Sequence, residues 1–371
     1  MKTIHIFIYI LAFTLPSMSV SGAETINIAA IYALTGVAAE ANSYTLRGVR
    51  YAVNELNHAG GILGKKIKLE VLDNQSTPIG SSMAANKAAA VNVVAIVGPD
   101  WSSHSISVAR VAQRAGIPMI SSLSTNPEVT RVGNYIFRVC FTDDFQGEVI
   151  ARFANRDLNA STAVILVDVL SDYSLMLSEI FRKHFEKLGG RVLQEIEYKH
   201  NQQKFDDEII AAVNTKAEAM FIPGHDESGF IAKQAQELGS LSTFLGADGW
   251  STAVFFKKGG AELKHGYFST HWAVDMENEN SKSFVEKYNI GAESPEDNIA
   301  LGYDAMMLLG NAIARAGSLD REKIRDAIAR THSFKAITGT INFNEYGDPI
   351  KSAVIMEIVN GKPRYMKTVH P

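Results

Sequence analysis

Ser102, Ser103, Ser121, Ser122, Ser124 and Thr125 crowd two short loops within the stretch Val93 to Thr130. The first loop leaves an apolar, β-branched run, Val93 to Val97, that is closed by Gly98-Pro99. The second leaves Met119 to Ser121. Between them the pattern predicts a helix from about Ser103 that ends at Ala115-Gly116, where glycine supplies a left-handed cap. Runs of this kind suit a parallel sheet buried on both faces, and their loops leave the carboxyl edge at which open α/β sheets take ligands. Hydroxyls beside the free N–H groups of helix N-termini attract a carboxylate or a phosphate. The chemistry on offer is anion capture, and these loops form half of a pocket. Each residue also has a plainer use: Ser102 and Ser103 as N-caps, Thr125 in the Asn126-Pro127 turn, and Asp248 with Gly249 as a turn or cap after the strand Thr243 to Ala247.

Covalent and metal chemistry find no comparable pattern. The chain has no G-x-S-x-G, H-E-x-x-H or G-x-G-x-x-G. Histidines 58, 104, 184, 200, 225, 265, 271, 332 and 370 show no metal-ligand spacing, and Cys140 closes an apolar strand with no histidine beside it. Gly60-Gly61-Ile62-Leu63-Gly64 follows a helix rather than a strand and reads as a turn, not a phosphate loop. Asp143-Asp144 and Asp206-Asp207 read as carboxylates at helix starts. No cofactor, metal or catalytic group is expected.

The positioning elements begin after a secretory leader. Lys2, the apolar run Ile4 to Leu15 and Ser21-Gly22-Ala23 form a signal peptide with cleavage expected after Ala23. Its core is short of the roughly 20 apolar residues of a membrane span. The mature chain is therefore expected in the periplasm, without stable membrane insertion. With 36 Lys and Arg against 40 Asp and Glu, it carries a net charge of −5 once Lys2 is removed, and no basic block, so nucleic acid is not an expected partner. The single Cys140 cannot form an internal disulfide.

From Thr25 onward strands and helices alternate. A helix bearing Leu46, Val49, Val53 and Leu56 follows the first strand, Thr77-Pro78 starts a second helix, and Tyr135 to Cys140 is a strand. The rhythm restarts at Gln146 and runs to Gly266 to Thr270, turns helical from Asn280 to Ala329, and ends in late strands around the Asn360-Gly361 hairpin. The expected fold is α/β with two lobes. Three crossings between them are expected near Phe141, Thr270 and Tyr346.

The whole of Glu24 to Pro371 resembles the periplasmic solute-binding proteins of branched-chain amino-acid (Leu/Ile/Val) ABC transporters. The resemblance rests on Gly36 with Arg47-Gly48, the segment Asn54 to Gly64, Val97-Gly98 with Ser102-Ser103, Ser124 to Glu128, Arg138, Gln146-Gly147, Asp172-Tyr173, Gly246 to Trp250, and Leu301 to Ala305. It implies two Rossmann-like lobes joined by three hinge crossings, the type I periplasmic binding fold. With the crossings above, residues 24–142 plus 272–346 form the N-terminal lobe, and 143–271 plus 347–371 the C-terminal lobe. It further implies that Ser102, the Leu123 backbone and Thr125, with Ser124 between them, hold an amino acid's α-carboxylate. Asp248 accepts the ammonium and Tyr173 closes over the ligand. Trp101 and Phe141 join the site by adjacency in sequence.

The implied role is delivery of an amino acid to an ABC importer's membrane permease. Kept beside it are a binding protein for a non-amino carboxylate or amide, a sensory ligand-binding module and an exported α/β hydrolase. Two departures separate this chain from the family pattern. Ser76 and Trp101 stand where a familiar member has a disulfide, and Gly224-His225 stands where a tyrosine is common. A lone loop histidine such as His225 reads as neither ligand contact nor base.

Overall fold

The computed structural model describes residues 25–202, 204–276, 279–288 and 297–371. The expected leader and its cleavage point after Ala23 lie outside the described residues. In chain order the first half contains β1 (Ile26–Tyr32), α1 (Ala39–His58), β2 (Ile67–Asp73), α2 (Pro78–Ala90), β3 (Ala95–Val97), α3 (Ser102–Ala115), β4 (Met119–Ser121), α4 (Glu128–Arg131) and β5 (Ile136–Arg138). The second continues with α5 (Asp143–Arg152), a π-helical turn at Phe153–Asp157, β6 (Thr162–Asp168), α6 (Asp172–Lys187), β7 (Arg191–Tyr198), α7 (Asp206–Asn214), β8 (Ala219–Phe221), α8 (Glu227–Glu237), β9 (Thr243–Gly246), α9 (Ala253–Lys257) and β10 (His265–Thr270). After these come α10 (Glu279–Tyr288), α11 (Asp297–Ala316), α12 (Arg321–Ala329), β11 (Phe334–Ala336), β12 (Gly339–Ile341), β13 (Ala353–Val359) and β14 (Lys362–Val369).

Two sheets organise these elements. The first is parallel, in the order β2-β1-β3-β4-β5. The second runs β14-β13-β10-β9-β8-β6-β7, parallel from β7 to β10 and antiparallel through β13 and β14. In both, strand order reverses beside the strand that leads: between β1 and β3 in one, between β6 and β8 in the other. A crevice opens at such a switch point because the helices that follow the two strands depart to opposite faces. The chain passes from the first sheet to the second after β5, and returns after β10, since Trp272 and α11 pack in the core of β1, β3 and α1. It leaves again before β13, whose Ala353 and Ile355 belong to the core beneath β6, α5 and α6.

Local chemistry explains most boundaries. Thr77 Oγ1 accepts the Gly80 amide at 2.9 Å, a helix cap followed by proline at the first helical position. Gly116 ends α3 at φ 59°, and Asn360-Gly361 turn the last hairpin with φ of 48° and 75°. The Gly60 to Gly64 segment is a turn closed by a bridge between Ile62 and Lys65. The helix expected from Gln146 starts earlier, at Asp143, and loosens into the π-turn before Leu158. The pairing of β11 with β12 had no sequence signal.

One crossing matters for the site. A Cβ on Gly48 of α1 would lie 2.0 Å from the Ile299 carbonyl, and one on Gly302 of α11 would lie 2.2 Å from the Thr45 carbonyl. Glycine at both points lets the backbones touch. That contact sets the first turn of α11 beside the first turns of α1. Among the described residues no helix is long and apolar enough to cross a membrane.

Candidate functional site

Trp101, Ser102, Leu123 and Thr125 from the first sheet's loops and Tyr173 and Asp248 from the second's line one cavity of ≈ 40 Å³ between the lobes. A single water needs roughly 10–15 Å³ by the same measure, so the space suits a small solute. Ser124 and Phe141 do not line it. Asp100 and Gly249, next to Trp101 and Asp248 in the chain, do, and so do residues from other segments: Ala41 and Asn42 of α1, His225, Asp226, Thr252, and Asn298 of α11.

On the first lobe, α3 begins at Ser102, with Trp101 in the capping position and no side-chain cap. Ser102 therefore does not cap its helix. Its hydroxyl accepts the Asn126 amide at 3.3 Å and ties the two hydroxyl-rich loops together. Ser124 is buried one layer deeper, where its Oγ donates to the Asp100 carbonyl at 2.6 Å. The loop is held from beneath by fully buried Arg138, which donates to the carbonyls of Ser124 and Asn126 and pairs with Asp348 at 2.6 Å. Thr125 Oγ1 lies near the Asp143 carboxyl without a well-formed hydrogen bond. The N-terminus of α3 thus faces the cavity with its positive dipole end and hydroxyls in place, a setting that favours an anion.

The opposite wall is built around Asp248. Its Oδ1 accepts Gln146 Nε2 at 2.8 Å and the Tyr173 hydroxyl at 2.9 Å, while Oδ2 lies 3.2 Å from His271 Nε2. Gln146 is itself oriented by donation from the Ser269 hydroxyl and the Asp248 amide. Burial alone would raise the Asp248 carboxyl, but His271, Gln146 and Tyr173 together bring it below its ordinary value. It is a buried, ionised acceptor. Burial and the neighbouring Asp248 push the Tyr173 phenol well up, so it stays a donor. Phe141 acts from behind: its ring lies 3.7 Å from the His271 ring, outside the cavity. Adjacency along the chain placed it one layer too close.

A ring stack crosses the cleft. His225 lies between Trp101, at 4.1 Å and within 2° of parallel, and Tyr173 at 5.0 Å. The other face of the first lobe's indole meets His104 at 5.3 Å. Burial lowers both His104 and His225 to about 4, so these rings are neutral near pH 7. His200 approaches the indole edge and is raised by its 2.6 Å contact with Asp168. His225 is thus a cavity residue, against the sequence expectation. A loop histidine carries no local mark of the aromatic partners that a second lobe brings. Further contacts bridge the lobes: Lys257 pairs with Glu40 at 2.9 Å, and Asn126 Nδ2 donates to the Asp172 carbonyl at 2.9 Å.

Two lobes closed over a small polar cavity at their switch points match a known architecture. The periplasmic binding protein family model covers residues 25–363. The chain belongs to that family. An amino acid binding protein of Pseudomonas aeruginosa is 29% identical over 335 residues, spanning 89% of each chain. A leucine-binding protein of Thermotoga maritima shares the fold with a TM-score of 0.88 and 34% identity, covering 94% of this chain and 99% of its own. A branched-chain amino acid transporter substrate-binding protein of Streptococcus pneumoniae, solved with isoleucine, gives a TM-score of 0.86 and 28% identity over 94% of this chain and all of its own. Family and fold are those of solute-binding proteins, not enzymes.

Proposed function

We propose that the protein captures a small α-amino acid between its lobes in the periplasm and delivers it to the membrane permease of an ABC importer. The observation that carries this reading is the pairing, across one cavity, of the α3 N-terminus at Ser102 with the ionised Asp248 on the facing lobe. Carboxylate and ammonium of a zwitterion need that complementarity. In this reading Ser102, the Leu123 backbone and Thr125 hold the carboxylate, and Asp248 receives the ammonium. Tyr173 and Trp101 cover the ligand, Ser124 shapes the carboxylate loop, and Phe141 supports Asp248 through His271. Similarity to proteins named for amino acid, leucine and isoleucine binding supports the assignment. The lobes, 24–142 plus 272–346 and 143–271 plus 347–371, hinge about their three crossings to admit and release it.

One observation favours a second reading, a small carboxylate or amide without an amino group. Asp248 already has Gln146, Tyr173 and His271 for partners. An ionised carboxylate has about four acceptor sites, which leaves room for an ammonium but does not require one. Calorimetry decides between them. The best amino acid should bind at least roughly thirtyfold tighter than its deaminated counterpart, the equivalent of about 2 kcal/mol. Equal affinity for the two would replace the amino acid with a plain acid.

A further inference from the structure

The cavity has more acceptors than one ammonium can serve. Three carboxyls line it, Asp100, Asp226 and Asp248, and no lysine or arginine does. The one histidine among the lining residues, His225, is held neutral by burial. Asp100 Oδ1 and Asn298 Oδ1 have no hydrogen-bond partner, although the residues are only 5% and 3% exposed. Buried oxygens of this kind are normally paired, and leaving one bare is costly, so each needs an explanation.

Local structural duties do not supply one. Asp100 precedes α3 but does not cap it; its Oδ2 accepts the Thr45 hydroxyl at 2.6 Å and Oδ1 is left over. Asp226 stands at the cap position of α8 without a capping hydrogen bond, and instead accepts Thr252 Oγ1 at 2.6 Å. Asn298 lies in the first turn of α11, where its side chain satisfies no backbone donor. The three sit on different elements, β3–α3, β8–α8 and α11. Asp248 is anchored toward the hinge by Gln146 and His271. Asp226 faces the charges of Lys258 and Glu40 near the exposed Lys257–Glu40 bridge at the cleft mouth. An ammonium seated on Asp248 therefore leaves the other acceptors unserved.

Resting on the amino-acid reading above, we infer that the ligand's side chain ends in hydrogen-bond donors, as a carboxamide, hydroxyl or amine does, and that Asp100 and Asn298 select for it over an aliphatic side chain. Burial, together with the charge of Asp297, pushes the Asp100 carboxyl up to about 8 against the pull of the Thr45 hydroxyl, so without ligand it holds a proton at pH 7; a ligand donor seated on Oδ1 favours the charged form, and that proton leaves to solvent as the ligand binds. The ≈ 40 Å³ cavity limits the side chain to a few heavy atoms. A site that pairs buried polar groups with its ligand discriminates strongly against an isostere that lacks them.

Four ligands of nearly equal size separate this inference from the reading beneath it. Asparagine and leucine differ in side-chain donors, and succinamate and 4-methylpentanoate are their deaminated counterparts. Calorimetry at pH 7 with the mature protein should show asparagine at least roughly tenfold tighter than leucine. Threonine against valine should give the same direction. Asn298→Leu should bring the asparagine-to-leucine ratio to within about threefold without lowering the melting temperature of the ligand-free protein, since it removes an unpaired oxygen. Leucine binding as tightly as asparagine, or tighter, would overturn the donor inference while leaving the amino-acid reading intact. Equal binding of asparagine and succinamate would overturn the amino-acid reading, and the succinamate to 4-methylpentanoate ratio then judges the donor inference on its own. Binding by none of these at millimolar concentration overturns both.

Discussion

Replacing Asp248 with asparagine tests the charge without emptying the space. In the folded protein Asp248 Oδ1 holds Gln146 Nε2 at 2.8 Å and the Tyr173 hydroxyl at 2.9 Å, and an asparagine Oδ1 can keep both. The new Nδ2 takes the place of Oδ2, 3.2 Å from His271 Nε2. That nitrogen can accept if the proton sits on Nδ1, which has no other partner. Folding should change little, with a melting temperature within about 1.5 °C, the shift expected for roughly 1 kcal/mol in a chain of this size. Binding should change much more. A desolvated ammonium that loses its carboxylate costs about 2–5 kcal/mol, or roughly 30- to several-thousand-fold in affinity at 1.4 kcal/mol per decade. The retained volume and hydrogen bonds put Asp248→Asn toward the lower end of that range. The deaminated ligand, with nothing to present to Asp248, should hold its affinity within about threefold. The assay is calorimetry of both proteins with both ligands, after melts establish that the variant folds. A variant of unchanged stability that binds the amino acid as well as wild type would refute the assignment of Asp248 to the ammonium.

Two further outcomes follow from the same geometry. Asp100 has a folded-state value near 8 against an ordinary 3.8, so the native state holds the extra proton and stability falls as pH rises from about 4 to 8. Asp100→Asn removes this term, worth at most about 1.4 kcal/mol per pH unit, and ligand-free urea melts at pH 5 and 8 should show the variant losing less stability than wild type; parallel slopes would contradict a buried, donor-poor carboxyl. Trp101→Ala should weaken ligand binding by roughly 2- to 15-fold through loss of the interlobe stack with His225, each ring pair being worth about 0.5–1.5 kcal/mol, with Trp101→Phe in between; affinity unchanged by the alanine would exclude a role for the stack in closure.

The residues that sequence reading could locate are those whose placement is a local matter. The Val93 to Thr130 stretch announces strands by β-branched runs and a helix end by Gly116, and once the strands are parallel their following loops must share an edge, so Ser102, Leu123 and Thr125 come together. Asp248 and Tyr173 follow the same rule on the second sheet. Family resemblance, not spacing, suggested that the two edges face each other. What the chain order could not reveal is which distant side chains complete the cavity. Asn42 and Asn298 meet there because Gly48 and Gly302 let α1 and α11 touch backbone to backbone, a contact that no periodicity encodes. His225 reads as an ordinary loop residue until the fold sets it between Tyr173 of its own lobe and Trp101 of the other. Phe141 shows the converse: adjacent to the pocket in sequence, it turns behind His271 in space. The protonation of Asp100 and the ionisation of Asp248 lie furthest from the sequence. Both are buried aspartates, and the donors and charges that the folded chain brings to each, one hydroxyl and the like charge of Asp297 for the first, and His271, Gln146 and Tyr173 for the second, drive them in opposite directions.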